Sequence, residues 1–200
     1  MHKVFITYHH ENDQRYKDAI LKLNAVHGIF VDRSVDTGDI SDSLSDESIR
    51  THIRDQYLRD STVTILLVGT ETKGRKHVDW ELYSSMIDGP VNKKSGIIAI
   101  NLPESSATSC HAPHGDREKR NIHPNISRWE SVKTRSEYER RYPSMPARII
   151  DNLDAKVPIS VVDWNTATDP CKLELLINFA FEDREKCDYD LSRRMQRQNA

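Results

Sequence analysis

The stretch that most constrains the fold is residues 61–87, STVTILLVGTETKGRKHVDWELYSSMI. An apolar run at 63–68 predicts a buried strand, a polar loop with two glycines follows over 69–77, and a helical segment comes next. A buried strand that leads through a loop into a helix is half of a parallel α/β unit, and loops after such strands form the ligand crevice. Glu81, directly after Trp80, is therefore expected in the first turn of a helix at the functional edge of a sheet.

Short runs of apolar and β-branched residues predict four further strands. Apolar side chains at helical spacing predict helices between the strands and after the last one. Candidate N-caps for these helices are Asp13, which follows a polar loop at 9–13, then Ser45, and Asp169 with Pro170 at the first helical position. The predicted strands lie at residues 3–8, 29–31, 96–101 and 159–162.

Five strands that alternate with helices give a doubly wound parallel sheet of the α/β class. Right-handed crossovers place helices on both of its faces. We predict the flavodoxin-like strand order 2-1-3-4-5, in which the loops after the first and third strands lie on either side of the switch point. His9, His10 and Glu81 would then face one crevice, although they are far apart in the sequence.

The chain has 200 residues, of which 30% are charged and 36% hydrophobic, and its formal net charge is −2. This balance is typical of one domain with an ordinary core and gives no reason to expect a nucleic-acid or membrane surface. Three widely spaced cysteines favour a reducing cytoplasm over a disulfide framework. We predict a single domain over 1–191, with a polar insertion at 102–142 after the fourth strand and a frayed tail at 192–200.

The segment 69–76, GTETKGRK, matches a phosphate-binding loop only in its glycines. Arg75 stands where such a loop has its lysine, and Lys76 where it has the Ser or Thr that binds magnesium. No Gly-x-Gly-x-x-Gly follows the first strand, which argues against a Rossmann dehydrogenase. A response-regulator receiver is also disfavoured, because two histidines rather than paired acids follow that strand.

A cluster of potential metal ligands lies in the predicted insertion. Cys110, His111, His114 and His123 are residue types that bind zinc, but their spacing fits no standard template. A solvated polar loop is the simpler interpretation, and zinc binding stays an open alternative.

The candidate site residues have structural interpretations as well. A glutamate in a first helical turn is stabilised by the helix dipole, and Trp80 is as readily a packing residue. Asp36 and Asp39 are typical of turns, and His9 of a solvated strand end. The pattern of residues alone therefore leaves both interpretations of each position open.

Four segments taken together resemble the bacterial TIR-like family that includes the TIR subunit of the Thoeris anti-phage system. The resemblance covers residues 1–101 well and the fifth strand more loosely, while residues 102–142 match no motif. One departure is Thr7, where the family's first strand usually has Ser. The segments are KVFITYH at 3–9, TGDI at 37–40, DSTVTILLVG at 60–69 and KHVDWE at 76–81.

The resemblance implies a flavodoxin-like fold and cleavage of the nicotinamide–ribose bond of NAD. Glu81 matches the position of the family's catalytic glutamate, on the helix after the third strand. Members from Thoeris systems release a cyclised ADP-ribose signal that activates a separate effector protein. NAD is thus expected as substrate, with no cofactor and no metal. We expect substrate contacts from Tyr8, His9, Asp36, Asp39 and Trp80.

The chemistry of this cleavage requires little more than one carboxylate. Nicotinamide in NAD is a cationic leaving group, so it needs no protonation, and positive charge develops on the ribosyl carbon. A carboxylate beside that ring stabilises the cation, as oriented charges do at other transition states. Cyclisation additionally requires that water be kept out, so that another part of the same molecule captures the cation.

A second hypothesis from another class is a non-catalytic TIR-like interaction module that signals by self-association. Under the first hypothesis the partners are NAD and an effector reached through a diffusible signal. A phage-derived activator and a second copy of the chain are open alternatives under both. The two hypotheses differ in whether Glu81 is needed.

Overall fold

The structure of the chain, a computed structural model, describes residues 1–34, 44–58, 60–89 and 93–199. Five strands form one parallel sheet, and their order across it is 2-1-3-4-5, which confirms the predicted α/β flavodoxin-like architecture. They are β1 (Lys3–Thr7), β2 (Val31–Asp32), β3 (Val63–Val68), β4 (Gly96–Asn101) and β5 (Ser160–Asp163).

Helices flank the sheet and also build the region between the fourth and fifth strands. In the described residues none combines the length and the apolar character needed to cross a membrane. Short 3-10 turns lie at Thr72–Gly74, Pro103–Ser105 and Arg184–Lys186, and a π-helical turn lies at Ile53–Tyr57. The α-helices are α1 (His10–His27), α2 (Asp46–His52), α3 (Lys76–Met86), α4 (Asp116–Ile122), α5 (Arg135–Arg141), α6 (Ala147–Asp154), α7 (Trp164–Ala167) and α8 (Pro170–Asp183).

The two central strands, β3 and β4, are buried at all six of their positions, as expected for parallel strands covered on both faces. On one face they pack against α1 and α8, through residues such as Ile20 and Leu173. On the other face the apolar contacts come from α3 and α6, for example Leu82 and Ile149. A third, smaller cluster surrounds Trp80 beside β1.

Gly96, the first residue of β4, allows α8 to pack closely on the sheet. A Cβ atom at this position would overlap the carbonyl group of Ala180. The overlap is with backbone, which cannot rotate away as a flexible side chain can. Only glycine therefore permits this separation between the helix and the strand.

The start of α1 differs from the prediction. Residues 9–13 were expected to form a polar loop with Asp13 as N-cap, but the helix begins at His10 and His9 is its cap. The Nδ1 atom of His9 accepts a hydrogen bond from the backbone N–H of Asn12 at 3.2 Å. An imidazole nitrogen can thus satisfy an orphan N–H of the first turn, which the usual list of capping residues does not anticipate.

The helix that carries Glu81 also begins earlier than predicted. Since α3 starts at Lys76, Glu81 lies in its second turn, and the acidic residue of the first turn is Asp79. The prediction of Glu81 in a first helical turn is therefore wrong. Helix-dipole stabilisation falls off within the first turn, so it does not account for a glutamate at this position.

The predicted insertion at 102–142 has secondary structure and a packed interior. It contains α4 and α5, and Tyr138 and Tyr142 are buried in the core. His111 forms an isolated antiparallel bridge with Val161 of β5. The sequence of this region is polar because its helices are short and expose most of their surface. A few aromatic side chains attach these helices to the core.

The predicted frayed tail is wrong for residues 193–199, which we call the C-terminal strap. Met195 is buried, and the carbonyl group of Gln196 accepts a hydrogen bond from Nε1 of Trp80 at 2.7 Å. The guanidinium of Arg148 donates to the carbonyl groups of Arg193 and Arg194 at 3.0 and 3.3 Å. The strap is thus held against α3 and α6 by backbone acceptors.

A buried ion pair anchors this strap. Nε and Nη2 of Arg148 donate to the two carboxylate oxygens of Asp79 at 2.8 and 3.0 Å, and the backbone N–H of Gln196 donates to the same carboxylate at 2.8 Å. The side chain of Arg148 is fully buried. Every contact of this pair is made between segments that are distant in the sequence.

We predict that Arg148→Gln lowers the free energy of unfolding by roughly 3–5 kcal/mol, because it leaves the carboxylate of Asp79 buried without its cation. Chemical denaturation of the purified protein measures this value. Arg120→Gln is the matched control, since Arg120 makes an exposed ion pair worth a few tenths of a kcal/mol. Equal midpoints for the two variants would contradict the prediction.

Candidate functional site

The carboxylate of Glu81 lies at the carboxyl end of β1, where α3 packs across the sheet. Its Oε2 atom accepts a hydrogen bond from the hydroxyl of Thr7 at 2.5 Å. Thr7 is the last residue of β1 and is fully buried, and Glu81 is 2% exposed. The strand order brings these two residues together, since β1 and β3 are neighbours and α3 follows β3.

Burial raises the pKa of Glu81 to about 7, because the charged form has lost its contact with water. The hydrogen bond from Thr7 and the positive charge of Lys17 act in the opposite direction and lower that pKa. Near neutral pH, Glu81 is therefore poised between the ionised and the neutral form. Perturbed pKa values of this kind are characteristic of functional sites.

Lys17 and Tyr8 form the cationic and aromatic side of this site. Lys17 is buried on α1, and its Nζ atom lies 3.4 Å from the hydroxyl of Tyr8 and 5.0 Å from the centre of that ring. The Tyr8 hydroxyl donates to Oε1 of Gln14 at 2.5 Å, and the Tyr8 ring stacks on the imidazole of His10. The predicted substrate contact Tyr8 thus lies beside a lysine that acts electrostatically on Glu81.

His9 lies on the other side of the strand end and is 4% exposed. Its Nδ1 caps α1, whereas its buried Nε2 makes no hydrogen bond with any described residue. A carboxylate oxygen of Glu71 lies 3.5 Å from Nε2. A buried imidazole nitrogen without a hydrogen-bond partner is available to a ligand, which fits the expected substrate contact from His9.

Close packing at the end of β3 holds this edge of the sheet together. The hydroxyl of Thr72 accepts from the backbone N–H of Gly69 at 2.8 Å and lies 3.4 Å from a carboxylate oxygen of Asp13. A Cβ atom at Gly69 would overlap that carboxylate, so a larger residue here would displace the side chain of Asp13. Burial raises the pKa of Asp13, which makes it a second acidic group with a perturbed pKa at the same edge.

A family model described as Thoeris protein ThsB, TIR-like domain, matches residues 5–107. The chain belongs to this family. The match includes Thr7, Lys17 and Glu81, so it covers the whole arrangement around the buried carboxylate, and it supports a role in Thoeris defence. No curated protein matches the chain.

Two of the expected substrate contacts in this TIR-like domain, Asp36 and Asp39, lie outside the described residues. Trp80, another of the five expected contacts, is fully buried among Phe5, Ile49 and other apolar side chains. Its indole N–H is bonded to the strap, so in this conformation the ring supports α3 and is covered on all sides.

The cluster Cys110, His111, His114 and His123 does not converge on one point. In the described part of the chain no three His, Cys, Asp or Glu side chains are placed to hold a metal ion. His114 is bonded through Nδ1 to Asp183 at 2.7 Å. Burial raises the pKa of Cys110 to about 11, so its thiol is protonated at neutral pH in this arrangement.

Neither Lys17 nor the hydrogen bond of Thr7 is among the site features predicted from the sequence, where Thr7 is only a departure from the family. A signal for Lys17 was present, because Asp13, Lys17 and Ile20 recur at helical spacing and are all buried in α1. A charged pair on the inward stripe of a helix needs buried partners, and these are found at the carboxyl edge of the sheet.

We predict that the effect of Glu81→Gln on the free energy of unfolding depends on pH. The pKa of Glu81 rises from 4.5 to about 7 on folding. The stability that the protonated side chain contributes to the folded state is therefore complete below pH 4.5 and is lost as the pH rises through 7. A neutral glutamine side chain at this position does not suffer this loss. The free energy of unfolding of the variant minus that of wild type should therefore increase by up to about 3 kcal/mol between pH 4.5 and 8.

Denaturation curves at four pH values measure this difference. Glu185→Gln is the control, since Glu185 is 82% exposed and its replacement should give a small difference that does not change with pH. A difference for Glu81→Gln that is constant across the range would show that the carboxylate is not desolvated as described.

Proposed function

We propose that this TIR-like protein cleaves the nicotinamide–ribose bond of NAD with Glu81. We further propose that it releases a cyclic ADP-ribose-type messenger, which activates a separate effector in Thoeris defence in the cytoplasm. The observation that carries the proposal is the buried carboxylate of Glu81, bonded to Thr7 and under the influence of Lys17, within a segment that belongs to the ThsB TIR-like family.

In this mechanism the ionised form of Glu81 faces the ribose carbon from which nicotinamide departs. The developing positive charge on that carbon is stabilised by the carboxylate in surroundings that contain little water, where such an interaction is strong. Lys17 and Thr7 favour the ionised form of Glu81, so they keep the carboxylate available near neutral pH. No nucleophilic serine or cysteine is needed.

Glu81 is too deeply buried to meet a substrate without a rearrangement, because it is only 2% exposed. We therefore propose that the active state is an opened one, produced by a phage-derived activator or by self-association. The same burial serves the second half of the reaction. A site that closes again over the ribosyl cation excludes water and favours capture by another part of the same molecule.

We predict that Glu81→Gln abolishes nicotinamide release, with a loss of at least about 10²–10³-fold, as for other single electrostatic groups. Nicotinamide and ADP-ribose products are measured by chromatography with mass detection, with the purified protein and in phage-challenged cells. Glu118→Gln is the matched control. Glu118 is also fully buried with a pKa raised to about 7, but it lies on α4 and is bonded to Ser160 of β5.

The products separate the hypotheses. A product lighter than ADP-ribose by one water, lost in Glu81→Gln and retained in Glu118→Gln, supports the cyclase. Linear ADP-ribose alone would indicate a plain NAD hydrolase. Defence that is retained by Glu81→Gln in cells would contradict an enzymatic role and favour an interaction module that acts by self-association.

A separate prediction concerns the pH profile of kcat/KM, which reports ionisations of the substrate-free protein. If ionised Glu81 is required, kcat/KM falls as the pH drops through about 7. The Thr7 hydrogen bond lowers that pKa, so Thr7→Val should shift the acid limb of the profile to higher pH. The control is Thr64→Val, because Thr64 is a buried strand residue that bonds to Ser85, also on α3. Equal shifts in both variants would exclude a specific role for Thr7.

A further inference from the structure

A cavity of about 760 Å³ lies on the side of α3 that faces away from Glu81. Asp79 lines the cavity, and Glu81, two residues further on, is rotated from it by about 200° around the helix axis. The walls are the loop between β3 and α3, the first turn of α6 and the C-terminal strap. Its size is in the usual range for small-molecule sites.

Most charged side chains in the walls of this cavity are neutralised by a neighbour. Arg75 is paired with Glu71 at 2.8 Å. Asp79 is paired with Arg148 as described above, and Arg193 bonds to the carboxylate of Asp151 at 2.5 and 3.2 Å. Each of these pairs is neutral overall and adds no net charge to the cavity.

Two cations in the walls remain without such a partner. The side chains of Lys73 and Arg194 are exposed and make no ion pair with any described residue. They stand on different walls, one on the loop before α3 and the other on the strap. The cavity therefore carries an excess of two positive charges, which attracts an anion.

Two helix N-termini border the same space. The N-cap of α6, Pro146, offers no side-chain acceptor to the first turn of that helix, and the N-cap of α3, Arg75, offers none either. At α3 the backbone N–H of Lys76 donates instead to the side-chain oxygen of Asn199 at 3.1 Å. An amide oxygen from the strap thus occupies a position that an anionic oxygen would also fill.

We propose that this cavity is a second ligand site that binds a small molecule carrying a pyrophosphate group. Lys73 and Arg194 bind its oxygens from opposite walls, and the N-terminus of α6 supplies backbone donors. An arginine suits this role because its planar guanidinium binds two phosphate oxygens at once. The strap and α6 lie beyond the matched family segment at 5–107, so the walls of this site come from both halves of the chain.

Binding at this site is coupled to the C-terminal strap, which forms one wall. The strap bonds to Trp80, next to Glu81 in the sequence, and Nη1 of Arg197 donates to the carbonyl group of Leu44 at 2.8 Å. A ligand held between Lys73 and Arg194 ties the strap to the loop before α3. Occupancy therefore stabilises the strap in its closed position over Trp80.

The experiment is a titration of sodium pyrophosphate into the full-length protein at low ionic strength, followed by calorimetry. We expect one-to-one binding that weakens at least tenfold in the double variant Lys73→Gln/Arg194→Gln. The control is Lys22→Gln/Arg128→Gln, which removes the same charge from exposed positions elsewhere and should bind as wild type. Glu81→Gln should also bind as wild type, so the result does not depend on NAD cleavage.

Parallel titrations with ADP and with adenosine distinguish the source of the phosphate. Tighter binding of ADP than of pyrophosphate indicates a nucleotide, and equal binding indicates an inorganic or other diphosphate. The proposal is overturned if wild type shows no saturable binding of pyrophosphate, if the Lys73/Arg194 variant binds as wild type does, or if both double variants weaken equally.

A second readout addresses the strap. Saturating pyrophosphate should slow tryptic cleavage after Arg197 in wild type and leave it unchanged in Lys73→Gln, which retains every strap residue. Cleavage that is insensitive to pyrophosphate in wild type would overturn the coupling between the cavity and the strap.

Discussion

The hydrogen bond from Thr7 to Glu81 joins the first strand to the helix after the third, and the chemistry of the site depends on it. A carboxylate with almost no exposure would normally stay neutral at pH 7, because the charged form loses its hydration. The hydroxyl of Thr7 and the charge of Lys17 offset part of this loss. The fold thus keeps one acidic group close to its ionisation point, at the edge where parallel sheets bind ligands.

The same helix carries a second buried carboxylate with the opposite character. Asp79 receives two hydrogen bonds from Arg148 and one from the backbone of Gln196, whereas for Glu81 the structure shows one hydrogen bond, from Thr7. Asp79, whose hydrogen bonds are saturated, anchors α6 and the strap. Glu81, which has fewer hydrogen bonds, remains able to interact with a ligand. A helix fixed firmly on one face can hold a partly desolvated group on the other.

A structural feature could be predicted from the sequence where its cause lies in neighbouring residues. The strands β3 and β4 were predicted at their observed limits, because buried parallel strands are continuous apolar runs. The strand order and a position for Glu81 beside the end of β1 followed from topology alone. The cap at His9 was missed because imidazole is not a common capping group. The strap was missed because its partners, Asp79 and Trp80, are more than a hundred residues away and leave no periodic pattern.

The two halves of the chain influence Glu81 in different ways. The segment that matches the family, 5–107, contains Thr7 and Lys17, which both lower the pKa of Glu81. The other half of the chain supplies Arg148 and the strap, which cover the far side of α3 and bury Trp80. Changes in Arg148 or the strap reach Glu81 through the position of α3, and such a helix shift can alter access to the carboxylate without altering its chemistry. Under the proposed function, a trigger that acts on α6 or the strap alters access to Glu81 while the residues around the carboxylate stay unchanged.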